Sequence, residues 1–498
     1  NNRLVKFNGT GGTQVITVTG GGTETFAYLA IEKSAGQSLQ LAAAPNATNV
    51  TVNGAAGGNS FQMISGDLDL NQRTFTFTSH FNGFQNNLGI DGSVGNLVRT
   101  INSTGGQGTF NIINTNAGNN VVTVTRMSAN ASTLIVGANA IMAISSSSGP
   151  SGINLGSGLS TINGTLQFNN FGYAVGNSPN YGTGSYLVYN VNGNFDRNVE
   201  WCCTSGTGYP YHVIVQGASF LRLNFPSPNG NADRALAGDL WIKSGATLQM
   251  SSTVNNKLTV GRDFTLDGTF LMPPAVGGDI YIGRNWNRAA AGIFTHNDRA
   301  VFMNTNQDGT ITANGNGQYF PYLYITKTAA ADSIRLLDSI AIGKEMSVIA
   351  GTFDLAAKDA VLLSNATETA RFGTVGGSGD VAYSGIGRFI VERYIPTGTG
   401  LGQHGKTWQF LSVPTNGGQT IREGWQESAN TPNQNNKPGY GTMITGNMTN
   451  ATSLGFDVGT AQSAGPGMKV FNSAGNNWTG VPNTNSTALH NPKGYMIF

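Results

Sequence analysis

Residues 258–272, LTVGRDFTLDGTFLM, alternate apolar and polar side chains, stop at a glycine, and begin to alternate again. The pattern returns at residues 280–294 as IYIGRNWNRAAAGIF. Alternation with a period of two is the signature of a strand with one buried face. Here it points Leu258, Val260, Phe264 and Leu266 inward and leaves Lys257, Thr259, Asp263 and Thr265 toward water. One such rung cannot bury its apolar row alone. Stacked on neighbours about 4.8 Å away, it gives a continuous core and pairs its backbone above and below.

Outward from this stretch the rhythm holds. GDLWIKSGATLQM begins at Gly238, GRDFTLDGTFLM at Gly261 and GRNWNRAAAGIF at Gly283, in steps of 23 and 22 residues. A degenerate copy, GKEMSVIAGTFDL, begins at Gly343. A second glycine (Gly245, Gly268, Gly292, Gly351) follows each first one by seven to nine residues. These glycines are expected at sharp turns, where only glycine takes a positive φ without steric cost. A period near 20 with short strands predicts a solenoid, most simply a parallel β-helix.

A larger duplication overlies the small one. FAYLAIEKS (26–34) matches FPYLYITKT (320–328), and MISGDLDL (63–70) matches VIAGTFDL (348–355), at separations of 294 and 285 residues. Upstream, the stretch from Val5 corresponds loosely to that from Val301. The reading is a first β-solenoid module at 1–82, a β-rich middle section of the solenoid at 83–235, and a second module at 236–385. From 386 the rhythm is lost: FIVERYIP and WQFLSVP give way to Asn/Gly/Pro-rich loops with isolated strands. Residues 386–498 are therefore expected to form a smaller β-sandwich domain. The chain stops on the strand-like KGYMIF, so the native polypeptide is expected to continue beyond Phe498. The fold class is all-β, a parallel β-helix followed by a β-sandwich.

Composition narrows the function. Charged residues make up 10% of the chain and 27 basic against 25 acidic residues nearly cancel, which leaves no electrostatic case for nucleic acid or an anionic membrane. No run of 18 apolar residues exists, so no transmembrane helix is expected. The first residues lack the build of a signal peptide, while the lysine-poor, Asn/Thr-rich style suits a secreted protein. The two cysteines, Cys202 and Cys203, are adjacent and cannot staple distant segments; disulfide geometry favours two thiols over a strained ring.

Because β-helices include polysaccharide lyases and hydrolases, carboxylate pairs matter. The best local pair is Asp196 and Glu200, on one face of a regular strand with Arg197 on the other. A solvated strand edge is the favoured reading. The histidines His80, His212, His296, His404 and His490 are scattered without HxH or HExxH spacing, so no metal site is expected. Asp, Asn and Gly in the turns could bind structural calcium, which no GGxGxD array supports, and no other cofactor is implied. Thr74, Thr76 and Thr78 share a strand face, but successive rungs do not repeat the TxT of an ice-binding ladder. WCCTSGTGYPYHV, 201–213, offers Trp201, Tyr209, Tyr211 and His212 as an aromatic platform for a ligand; packing against the solenoid is favoured over that role.

Several stretches together resemble a family of large secreted proteins from gliding and related Bacteroidota. They are the rungs GDLWIKSGATLQM and LTVGRDFTLDGTF, NDRAVFMN (297–304) with YLYITK (322–327), NSPNYGTGSYLVY (177–189), and FIVERYIP with WQFLSVP leading into KGYMIF. The resemblance implies a cell-surface or released adhesin-like molecule, exported by the type IX secretion machinery through a sorting domain C-terminal to such a region. It also makes Ser333 and Ser339, in the repeated Asp-Ser-Ile of ADSIRLLDSIAI, candidate O-glycan acceptors. The expected function is a non-catalytic extracellular structural or adhesin protein, in contact with a glycan or surface and capable of self-association into fibres. The alternatives are a carbohydrate-active β-helix enzyme and a glycan-binding module.

Overall fold

The structure is a computed structural model that describes residues 3–54, 60–79, 86–87, 98–114, 122–123, 133–146, 151–154, 160–223, 232–315, 317–396, 408–413, 418–426, 442–457, 465–489 and 493–498. His80, His404 and His490 lie outside these residues. Of the described residues 52% are strand and 2% helix, and the main body is a parallel β-solenoid of about 13 turns.

The opening stretch forms three short strands, Leu258–Val260, Phe264–Leu266 and Thr269–Leu271. Leu258, Val260, Phe264, Leu266 and Phe270 are completely buried, as the alternation requires. One turn later Leu258 lies beside Ile280, Phe264 beside Trp286 and Phe270 beside Phe294, all in parallel register. Each of these turns therefore contributes three strands, one to each of three stacks, and the buried rows fuse into one core that runs from Ile16 to Ala370.

The glycines do a different job from the expected one at most of these turns. Gly245 and Gly351 have φ of +84° and need glycine's conformational freedom. Gly261, Gly268, Gly283 and Gly292 do not have positive φ. Instead, a Cβ on Gly283 would run into the carbonyl of Gly261, and one on Gly261 into that of Ala237. Close stacking of one turn's backbone on the next is what excludes a side chain there.

The large duplication is a structural one. Ile31 pairs with Met63 and Ile325 with Val348, and the ladder slips by one residue immediately after both pairs. Lys33 and Lys327 follow at matching positions, 1% and 3% exposed. Gly66 and Gly351 approach the stems of these lysines, and Asp69 and Asp354 are both buried. Each of these aspartates accepts hydrogen bonds from the next turn, Asp69 from Thr104 and Asp354 from Ser384.

Between the copies the coil shifts by one face. The sheet holding Thr48–Val52 continues through Gly108–Asn114, Tyr186–Tyr189 and His212–Val215 to Ser333–Leu336. By the repeat, however, Ser333–Leu336 is the counterpart of Ser38–Leu41, a strand of a neighbouring face. The interruption sits near residues 190–211, where two sheets end at Gly172–Val175 and Asn180–Tyr181 and another begins at Gly193–Asp196.

The chain divides into two compact units, Asn1–Arg393 and Tyr394–Phe498. The strand Phe389–Val391 pairs in parallel with Ala360–Leu362 and so belongs to the solenoid. The second unit contains an antiparallel sheet ordered Gln409–Ser412, Gly494–Ile497, Met468–Asn472 and Asn477–Gly480. Its core gathers Ile421, Ile444, Phe456, Met468 and Tyr495. A short helix, Ile421–Gly424, starts with a capping box between Thr420 and Glu423. A second, two-stranded antiparallel sheet joins Gly446–Asn447 to Gly465–Pro466.

Candidate functional site

The sheet that runs without interruption past the junction carries a groove of about 670 Å³ on its outer surface. Alternation along Tyr186–Tyr189, His212–Val215 and Leu240–Ile242 buries Leu187, Val213, Val215, Leu240 and Ile242. The intervening side chains then point outward. Tyr186, Val188, Ile214, Gln216, Trp241 and Lys243 line the groove with Gln167 and His212. Tyr186 and Trp241 are each 40% exposed.

Both rings are held by protein on one side. Tyr186 stacks on His212 with centroids 4.8 Å apart and an interplanar angle of 20°. The Lys243 ammonium lies 4.6 Å from the Trp241 centroid and 3.2 Å from Gln216 Oε1. Trp241 Nε1–H donates to Asp267 in the next turn at 2.7 Å.

His212 heads a chain of polar caps that climbs the sheet. The Asp239 N–H donates to His212 Nδ1 at 3.0 Å, which leaves the proton of a neutral imidazole on Nε2. Asp239 Oδ1 accepts the Asp263 N–H (3.1 Å), Asp263 Oδ1 the Asn285 N–H (3.3 Å), and Asn285 Oδ1 the Thr310 N–H (2.9 Å). Arg284 clamps Asp263 with bonds of 2.6 and 2.5 Å. Burial pushes the Asp239 carboxyl up, but His212, the Asp263 N–H and Arg262 outweigh it and hold the group below the usual carboxylate range.

Of the four residues offered as a candidate aromatic platform, His212 lines the groove and Trp201, Tyr209 and Tyr211 do not. Tyr211 packs edge-on against it at 4.7 Å. Tyr209 is half-buried, and desolvation raises its phenol pKa. Trp201 is completely buried in a short 3-10 turn, Val199–Trp201, with Nε1–H donating to the Ala235 carbonyl at 2.8 Å. It is part of the core, which removes it from the platform.

The carboxylate pair also separates. Asp196 ends the strand Gly193–Asp196 and is paired with Arg222 by bonds of 2.5 and 2.8 Å. The chain then enters the 3-10 turn, so Glu200 does not share a strand face with it. Glu200 is fully buried, accepts from the Tyr189 hydroxyl (3.0 Å) and the Asn198 N–H (2.8 Å), and its pKa is raised by burial. Arg197 is buried as well and donates to the Leu223 carbonyl.

Cys202 and Cys203 are disulfide-bonded to each other, contrary to the pair of thiols expected. Both of their N–H groups donate to the Gly208 carbonyl, at 3.1 and 3.3 Å. Ser333 and Ser339 are half-buried with their hydroxyls engaged: Ser333 donates to Asp308 (3.0 Å), and Ser339 Oγ accepts the Asp359 N–H (3.2 Å). Thr74 lies beside Thr109 and Thr76 beside Thr51, but Asn111 and Ile113 stand beside Thr76 and Thr78 on the next strand, so the TxT pair is not repeated there. Among the described residues, no three His, Cys, Asp or Glu side chains are grouped to hold a metal ion.

Sequence reasoning missed Tyr186, Gln216, Trp241 and Lys243. A signal existed for Trp241: it takes the outward middle position of LWI, where the next two copies carry the small polar residues Thr265 in FTL and Asn287 in WNR. No protein-family model matches this chain, and neither a curated protein nor a solved structure does.

Proposed function

We propose that this chain is a non-catalytic structural or adhesin protein, carried at the bacterial cell surface or released from it and able to form or decorate fibres. The secretion route in this reading is the type IX system, by resemblance to surface proteins of Bacteroidota, and the second unit is a β-sandwich-like domain. The observation that supports the scaffold role is the use made of the acidic side chains. Asp69, Asp239, Asp263, Asp338 and Asp354 all accept backbone N–H groups from neighbouring turns. A glycoside hydrolase needs two carboxyls free to face one glycosidic bond. Here the carboxylates join turn to turn, and the length of the stack sets reach and repeats weak contacts.

The test has two parts. Electron microscopy of the secreted protein is expected to show rods, tufts or filaments. Incubation with a panel of extracellular polysaccharides is expected to release neither reducing ends nor unsaturated products. Turnover that is abolished by His212→Ala or Asp239→Asn would replace the scaffold reading with a carbohydrate-active enzyme.

A further inference from the structure

We propose that the groove bounded by Tyr186 and Trp241 is a binding site for an uncharged oligosaccharide. This inference takes the scaffold reading as its setting and gives the adhesive contact a place and a chemistry.

Three features of the groove point to sugar. Its floor is aliphatic, from Val188 and Ile214, and its two exposed rings present the flat apolar surface that suits the C–H face of a pyranose. Its rim carries the amides Gln107, Gln167 and Gln216, each with donors and acceptors for hydroxyl groups. Both rings are also fixed in advance, Tyr186 by stacking on His212 and Trp241 by Asp267 and Lys243. That lowers the ordering cost of binding.

Charge and backbone pairing narrow the class. Asp239 is matched by Arg262 at 3.6 Å, and Lys243 is occupied by Gln216 and the Trp241 ring. Among the described residues that line it, the groove therefore has no uncommitted cation to reward a uronate or a sulfate. It also lies on the face of a sheet whose strands are hydrogen-bonded on both sides, so a peptide cannot enter by strand addition. The lining comes from five consecutive paired strands, from Ala140–Ser146 to Leu240–Ile242, and from Gln107, just ahead of the next strand outward, so that six stacked layers take part. At about 4.8 Å per strand this is on the order of 24 Å, room for several sugar rings in a row.

The experiment is calorimetric titration of the whole chain with four neutral hexasaccharides, of the glucose, mannose, xylose and N-acetylglucosamine series, and with hexagalacturonate. At least one neutral hexasaccharide is expected to bind saturably. Tyr186→Ala and Trp241→Ala are each expected to weaken it by about tenfold or more, roughly 1.4 kcal/mol. Tyr209→Ala, outside the groove, is expected to leave it unchanged. Unfolding curves of each variant report whether the fold is intact, and Tyr186→Phe, which keeps the ring, is expected to retain binding. The proposal is overturned if no neutral hexasaccharide binds, if hexagalacturonate binds better than all of them, or if binding survives both alanine substitutions. Binding accompanied by cleavage would uphold the sugar site and defeat the non-catalytic reading, so the two failures are distinguishable.

Discussion

Lys327 carries its ammonium into the solenoid wall, where it donates to the carbonyls of Gly283 (2.9 Å), Asn304 (3.1 Å) and Gln307 (2.7 Å). Burial lowers its pKa to about 8, against the pull of Asp332 and Asp308. The ordinary value is 10.5, so between these two pH values the unfolded chain binds more protons than the folded one. Stability from this residue must therefore rise with pH across that window and stay constant below it. Relative to Lys327→Met, the native chain should gain on the order of 2 kcal/mol between pH 7 and pH 9.5, read from denaturant midpoints. Gly283 makes a steric prediction. Gly283→Ala meets a neighbouring carbonyl that cannot retreat without breaking the stack, and should cost about 2–3 kcal/mol. Gly377→Ala, with open space around it, should cost about 1 kcal/mol or less. At this scale the alternation located Leu258 and Phe264 correctly because a regular strand obeys it. It misplaced Glu200 because a single 3-10 turn reset the phase, and nothing in the residues NVEW announces that turn.

The rung is an element closed by side chains as well as by its strands. Asp263 accepts from Asn285 and is itself clamped by Arg284. Asp263→Asn keeps an acceptor for the Asn285 N–H and should cost less than about 1 kcal/mol. Asp263→Ala leaves that N–H without a partner and should cost about 1–3 kcal/mol, measured by chemical denaturation. The turn glycines were legible as turn points, but the force selecting them was not. Positive φ is a local property that a sequence can suggest, whereas the approach of a carbonyl from a residue 22 positions earlier is a fact of stacking. The groove was hidden for the same reason. Tyr186, Gln216 and Trp241 are far apart in the chain and meet only because three turns lie in parallel register.

At the scale of the molecule, the division at Arg393 gives a prediction about truncation. Residues 1–393 should fold alone and keep a cooperative thermal transition, since the core of the solenoid and that of the second unit are separate. A chain ending at 385 loses Phe389–Val391, uncovers Ala360 and Leu362, and should melt several degrees lower, as followed by circular dichroism. The duplication and the solenoid were readable because both repeat. The place of FIVERYIP was not, because it looks equally strand-like in either unit and only its pairing partner decides. The one-face slip between the two copies also has a practical side. An antibody raised against the flank of the first copy would find its cross-reactive epitope on the second copy looking out in another direction. Both arms of one immunoglobulin would then have to wrap around the shaft to engage a single molecule, whereas two neighbouring molecules could be bridged without strain.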